Sequence, residues 1–245
     1  MIRYFLILSY KGTNYHGWQR QPNVISVQET IETALERRFG QFIHCMGCGR
    51  TDAGVHAKQF FAHVDLPITP DQNTIFQLNK MLPDDIAVHE AKPVTAKAHA
   101  QHDAKQRTYE YHLHFQKHPY LEEWSAYCDK TLDLLLMKQA VALLTEYDDY
   151  VAFCITPNAY KHTRCQVSSA ELTEKTDELG THWCLRITAN RFVRGMIRLL
   201  MGRLLEVGRG TIDLKEWTSH LKDGKPLRHR VPAVACGLHL VSVTY

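Results

Sequence analysis

The sequence predicts an α+β fold with a mainly antiparallel central sheet and flanking helices, on three observations. Segments with the alternating apolar pattern of strands come in neighbouring pairs. A segment with helical spacing separates these pairs, and the order repeats roughly twice, which is typical of α+β folds rather than doubly wound parallel sheets. The periodicity lapses between residues 92 and 105, so we predict two halves, 1–103 and 104–245.

The first half begins with a strand, because apolar residues alternate on one face over residues 2–8. Ser26 and Glu29 match a capping box at the start of a helix, and Gly40 suits the end of that helix. A second helix is predicted to begin near residue 70, with Pro70 at its first helical position. Three further strands are predicted at 41–48, 59–65 and 86–91.

The second half is predicted to contain four strands and two helices. The strands are expected at 107–115, 164–172, 183–188 and 238–243. The middle two are joined by a turn at 177–180. Apolar residues at helical spacing predict a helix over 132–144, and a second helix is expected over 191–207.

The composition is that of a soluble globular protein, with 44% apolar and 22% charged residues among 245. No apolar run reaches the roughly 20 residues of a membrane span, and the N-terminus lacks a signal-peptide pattern. Seven cysteines are neither dense nor evenly paired, which favours reduced thiols. We therefore expect a cytoplasmic protein with no membrane partner.

The formal net charge is only +3, but the basic residues cluster. Six arginines lie between Arg186 and Arg209, with Glu206 as the only acid among them. A second basic cluster comprises Lys222, Lys225, Arg228 and Arg230. One such run is ordinarily a solvated helix face. Two clusters in one half favour a phosphate-binding face.

The segment 49–57, GRTDAGVHA, surrounds one carboxylate, that of Asp52, with glycines and alanines. Small residues let another surface approach the backbone, and glycine permits the positive φ angles of a tight loop. A short, stiff loop would hold Asp52 in a constant position, as a nucleophile or a general base requires. An aspartate that merely caps a turn is the ordinary alternative.

The same segment resembles the signature of the tRNA pseudouridine synthase A family, in which the aspartate is catalytic. Further blocks resemble the family in the same order, at residues 17–21 and 26–29, 78–86, 107–111, 192–198 and 237–240. The resemblance covers nearly the whole chain. It implies a pseudouridine-synthase fold built from two ferredoxin-like halves.

The resemblance also implies an activity, the isomerisation of uridine to pseudouridine at positions 38–40 in the anticodon stem-loop of tRNA. The N1–C1′ bond breaks, the uracil turns, and it is rejoined through C5, so no cofactor or metal is required. The residues allow three roles for Asp52: attack at C1′, attack at C6, or removal of the C2′ proton. A homodimer that binds one tRNA across both subunits is implied as well.

By the same resemblance, Tyr109 and Arg198 are catalytic together with Asp52. Arg198 matches an arginine that pairs with the aspartate, and a guanidinium suits that task because it stays charged. Tyr109 matches an active-site tyrosine, although a tyrosine on a sheet surface is common. Arg191, Arg194 and Arg198 are spaced three and four apart, which predicts one helix face, as would an ordinary surface stripe.

Five residues are predicted to bind RNA: Arg50, His99, Gln101, Arg191 and Arg194. Arg50 resembles an arginine that contacts tRNA. The family's Phe-His-Ala-Arg segment is Ala-His-Ala-Gln at 98–101 here, so RNA contacts there are expected to be weaker or different. The missing arginine motivates an alternative, a diverged, non-catalytic protein that binds or folds tRNA or another RNA on the same scaffold.

No metal site is predicted. Cys45 and Cys48 follow His44, but a zinc site needs a second pair of ligands with similar spacing, and the other cysteines do not provide it. Buried thiols are the preferred interpretation. His112 and His114 are expected to face the opposite side of their strand from Tyr109.

Overall fold

The computed structural model describes residues 1–224, 227 and 229–245; Lys225 and Arg228 of the second basic cluster lie outside the described residues. The strands are β1 (Ile2–Tyr10), β2 (Met46–Gly47), β3 (His56–Leu66), β4 (Ile86–Pro93), β5 (Gln106–His114), β6 (Ala126–Tyr127), β7 (Val167–Asp177), β8 (Gly180–Ala189) and β9 (Leu238–Thr244). The helices are α1 (Val27–Phe39), α2 (Gln72–Met81), α3 (Leu134–Ala142), α4 (Met196–Gly208) and α5 (Leu214–Lys222). Antiparallel pairings predominate, which confirms the α+β prediction.

The chain forms two compact units, Met1–Lys105 with His239–Tyr245, and Gln106–Leu238. The predicted division at 103/104 lies two residues from the first of these boundaries. The last seven residues differ, since they belong to the first unit although the prediction of a half over 104–245 included them. The reason is a pairing between distant segments, because β9 lies parallel to β3, with His239 opposite His56.

In the first unit, β1 lies between β3 and β4 and is antiparallel to both. Strand β2 continues this sheet through β3. Apolar side chains of β1 and α1, such as Leu6, Leu8 and Leu35, are fully buried, as the apolar periodicity requires. Helix α1 begins where the Ser26 hydroxyl accepts a hydrogen bond from the Glu29 backbone N–H, and it ends at Gly40, which has a φ of 69°.

In the second unit, β8 lies between β5 and β7 and is antiparallel to both. Helix α3 packs on β7 and on the helices α4 and α5. Trp217 of α5 is completely buried, and its indole N–H donates to the backbone oxygen of Ala140 at 3.0 Å. Helix α5 was not predicted, although Asp213, whose side chain accepts from the Glu216 N–H, is a recognisable N-cap.

Three predicted elements need correction. The predicted strand over 41–48 is reduced to β2. Pro70 precedes the N-cap of α2, which is Asp71, because the Asp71 carboxylate accepts from the Thr74 N–H at 2.7 Å. Helix α4 begins at Met196 rather than at 191, because Gly195 has a φ of 74°, which a right-handed helix cannot contain. Among the described residues, no helix combines the length and hydrophobicity needed to cross a membrane.

Candidate active site

The Asp52 loop lies between β2 and β3 in the first unit. Asp52 is half-buried, and its backbone oxygen accepts from the Val55 N–H at 3.2 Å, which closes a tight turn. The neighbouring Thr51 is buried, and its hydroxyl lies 2.9 Å from that of Tyr10. Arg50, on the other side of Thr51, is exposed to solvent. Asp52 thus lies between the buried Thr51 and a tight turn, and both restrict its position.

Gly17 packs directly against this loop. A Cβ atom at Gly17 would lie 2.3 Å from the Thr51 backbone oxygen, and the φ of 84° also favours glycine. The next residue, Trp18, donates its backbone N–H to the same oxygen at 3.3 Å. The segment after β1 therefore supports the backbone on which Asp52 lies.

Three further contacts attach this supporting segment. The backbone N–H of Gly12 donates to Nδ1 of the buried His56 at 3.0 Å. The Tyr15 hydroxyl donates to Asp85 at 2.5 Å, and its pKa is raised by burial and then by that carboxylate. The Tyr15 backbone oxygen accepts from the Gly54 N–H at 3.2 Å. His56 and Asp85 thus have structural partners near the loop.

In the second unit, Tyr109 and Tyr111 lie two residues apart on β5, and both are buried. The Tyr109 ring meets Phe192 edge to face, with centroids 5.2 Å apart. The Tyr111 hydroxyl donates to the backbone oxygen of Val234 at 2.9 Å, and burial raises the pKa of Tyr111. Tyr111 has a structural partner, whereas the Tyr109 ring lies against the segment that leads into α4.

Arg198 is half-buried on the first turn of α4, where two hydrogen bonds attach it to residue 233. Its Nε donates to the backbone oxygen of Ala233 at 2.8 Å, and the Ala233 N–H donates to the backbone oxygen of Arg198 at 2.9 Å. These bonds restrict the rotamers that the guanidinium can adopt. The segment before β9 therefore orients Arg198, a contact that the sequence pattern did not indicate.

Arg191 and Arg194 precede α4, so the predicted helix face shared with Arg198 is wrong. Instead they meet Tyr160. The Arg191 guanidinium lies 5.5 Å from the Tyr160 ring centroid, and the Arg194 backbone N–H donates to the Tyr160 hydroxyl at 3.1 Å. The Arg194 side chain is exposed. A loop thus presents the basic residues, and Tyr160, which no sequence pattern indicated, contacts that loop from a distant segment.

His99 and Gln101 lie in one turn of the first unit, between β4 and β5. His99 Nδ1 accepts from the backbone N–H groups of Gln101 and His102, at 3.1 and 3.3 Å. The His99 backbone N–H donates to Asp103 at 2.8 Å. The imidazole therefore organises the turn, while the Gln101 side chain is exposed.

Comparison with known proteins gives the family. Residues 141–245 match the family model described as tRNA pseudouridine synthase. A tRNA pseudouridine synthase A of Porphyromonas gingivalis is 39% identical over 248 residues, covering 100% of this chain and 98% of that protein. Those of Bacteroides thetaiotaomicron and Parabacteroides distasonis are 39% and 40% identical, each over 100% of this chain and over 91% and 96% of their own lengths. The chain belongs to the tRNA pseudouridine synthase A family.

Membership of this family confirms the resemblance and is in agreement with the α+β architecture of the pseudouridine-synthase fold. The roles of the individual residues stay predictions. Asp52 and Arg50 share one loop, and Arg198, Arg191 and Arg194 lie within eight positions at the start of α4. Gly17 was recognised only as part of the block 17–21, and Tyr160 was not recognised; both act through contacts between segments distant along the chain.

Proposed function

We propose that this chain is an isomerase that converts uridine to pseudouridine in tRNA, at positions 38–40 of the anticodon stem-loop. One observation carries the proposal: relatives named tRNA pseudouridine synthase A are 39–40% identical over the whole chain. The alternative, a protein that binds or folds RNA without catalysis, is not favoured by these relatives. The reaction is redox-neutral and uses no external group, so we assign it no cofactor.

Asp52 is proposed as the catalytic carboxylate. Attack at C1′, attack at C6 and removal of the C2′ proton all begin with a lone pair of an ionised carboxylate, so all three need the same residue. The tight turn and the close contact with Gly17 support the proposal, because they restrict the position of Asp52 before substrate binds.

Tyr109 and Arg198 are proposed as the other catalytic residues, on their match to the family motifs. A uridine in a stem is stacked and must be extruded before its glycosidic bond can be reached. Tyr109 would stack on the extruded base, which contributes about 1–3 kcal/mol. Arg198 would supply the fixed positive charge that favours an ionised carboxylate.

For RNA binding we propose Arg50, His99, Gln101, Arg191 and Arg194. Solvent exposure of the Arg50 and Arg194 side chains supports the proposal, since phosphate contacts need accessible cations. We further propose that the protein is cytoplasmic, on its composition and cysteine usage, and that it is a homodimer, on the family resemblance alone. Sedimentation that finds only monomer at micromolar concentration would contradict the dimer.

Replacing Asp52 with asparagine tests the proposal. Asp52→Asn should lower pseudouridine formation on tRNA transcripts by about 100-fold or more, because an amide neither attacks nor accepts the proton. Asp84→Asn, the same change at an exposed position of the first unit, should leave the rate unchanged. Full activity of Asp52→Asn would refute the role of Asp52. A wild-type protein that binds tRNA but forms no product on any transcript would support the binding-protein alternative.

A further inference from the structure

Three potential metal ligands converge on one face of the sheet in the second unit. The carboxylate of Glu110, the imidazole of His112 and the thiol of Cys184 each offer a ligand atom, and these atoms lie within 4.8 Å of one another. Glu110 is buried, whereas His112 and Cys184 are half-buried, so solvent reaches the cluster. None of the three is among the residues proposed for catalysis or RNA binding.

The register between β5 and β8 brings the three side chains together. Glu110 and His112 are two apart on β5 and therefore project from the same face. Cys184 of β8 lies directly opposite His112, and directly opposite pairs have Cβ atoms about 5 Å apart. No local spacing pattern in the sequence indicates this cluster, because Cys184 is more than 70 positions away from the other two ligands along the chain.

The two carboxylate oxygens of Glu110 have different partners. Oε1 forms an ion pair with Arg186, whereas Oε2 lies 3.1 Å from His112 Nε2. Arg186 lies between two acids, because Glu171 of β7 occupies the position opposite it on the other side. A cation bound to Oε2 of Glu110 would repel the nearby guanidinium of Arg186. The carboxylates of Glu110 and Glu171, one on each side of Arg186, offset this repulsion.

We propose that Glu110, His112 and Cys184 bind one divalent ion of the zinc class. Thiolate, imidazole and carboxylate together are zinc ligands, and three protein ligands leave the fourth tetrahedral position for water. Tetrahedral zinc holds its ligand atoms about 3.5 Å apart, and the three atoms here lie within 4.8 Å of one another, so no pair has to move closer by more than about 1.3 Å. On binding, the Cys184 thiol loses its proton to solvent, and His112 binds in its neutral form.

Cobalt(II) titration of the full chain tests the site, because a thiolate ligand gives Co²⁺ a charge-transfer band that oxygen and nitrogen ligands do not. We expect one Co²⁺ per chain with that band, and displacement by Zn²⁺. Cys184→Ser should remove the band, and His112→Asn should weaken metal binding about tenfold or more.

Two matched variants serve as controls. Cys236→Ser removes another half-buried thiol of the second unit, and His182→Asn removes another half-buried histidine of this unit, on β8; neither should change the titration. Circular dichroism establishes that each variant is folded, and His112→Asn provides the test if Cys184→Ser does not fold. The absence of a cobalt band in the wild-type protein, or binding that is unchanged in folded Cys184→Ser or His112→Asn, would overturn the proposal. Because the readout is metal binding, its outcome is independent of pseudouridine formation.

Discussion

Gly17 shows at the residue scale how one missing side chain positions the Asp52 loop. Its Cα lies so close to the loop that a Cβ atom would be 2.3 Å from the Thr51 oxygen and 3.2 Å from the carbonyl carbon of Asp52. Both atoms belong to the backbone, so neither can move away by a side-chain rotation. Its φ of 84° adds a second reason for glycine.

We expect Gly17→Ala to destabilise the protein and to displace the Asp52 loop. Gly40→Ala is the matched control, because Gly40 also has a positive φ, 69°, but no atom lies within 4 Å of its Cβ position. Gly17→Ala should lower the free energy of unfolding by about 1–3 kcal/mol more than Gly40→Ala does, since only Gly17 adds a backbone collision to the strained φ. Urea denaturation measures both, and equal losses would contradict the close approach.

Sequence motifs also identify single residues of the candidate site. The block 17–21 was recognised by resemblance, and Gly17 within it contacts the loop whose glycines and alanines drew attention to Asp52. The contact itself could not be predicted, because Gly17 and Thr51 are 34 positions apart and no local pattern relates them.

At the scale of elements, the turn that contains His99 is attached to β3 through His63. His63 Nδ1 accepts from the Ala100 N–H at 3.2 Å, and its ring lies 4.7 Å from that of His99. Burial lowers the pKa of His63 to about 4, and Arg3 and His99 add repulsion to its charged form. The turn therefore depends on a neutral imidazole.

This attachment predicts acid sensitivity. The unfolded chain binds a proton at His63 near its ordinary pKa of 6.5, whereas the folded chain does so only near 4. The folded state thus binds fewer protons between these values, and the free energy of unfolding should fall as the pH drops from about 6.5 to about 4. His63→Asn retains a hydrogen-bond acceptor without a titratable group and should flatten the pH profile.

The control is His89→Asn, which removes an exposed histidine from β4. Denaturation midpoints from pH 4 to pH 8 provide the measurement. If His63→Asn and the wild-type protein lost stability in parallel through this range, His63 would not be the responsible group.

The start of α4 shows a limit of periodicity at the element scale. Apolar and basic residues continue at helical spacing back to residue 191, yet the helix begins at Met196. Gly195 takes a left-handed conformation, and the backbone oxygen of the preceding Arg194 accepts a hydrogen bond from the distant Ile155 N–H at 3.0 Å. A tertiary contact therefore overrides the helical pattern and presents Arg191 and Arg194 on a loop.

At the scale of the whole molecule, the proposed function implies that contacts between basic side chains and phosphates contribute much of the affinity for tRNA. Each phosphate contact releases counterions, so the logarithm of the affinity should fall linearly with the logarithm of the salt concentration. Arg194→Gln should reduce the magnitude of this slope by about 1 and weaken the binding of different tRNAs equally. Lys138→Gln, which removes an exposed cation from α3, should leave the slope unchanged. An identical slope in Arg194→Gln would exclude Arg194 as a phosphate contact.

The sequence by itself determined the α+β class, the family and the loop that contains Asp52. The class can be read from the apolar periodicity, because the local backbone geometry of helices and strands sets the spacing of their buried residues. The family and the Asp52 loop can be read from motifs of contiguous residues. Only the tertiary structure decided that β9 lies parallel to β3, that Gly17 supports Thr51 and that Cys184 joins Glu110 and His112. Each of these brings together residues far apart along the chain. Their pairing follows from strand register and chain path, which no short segment of sequence encodes.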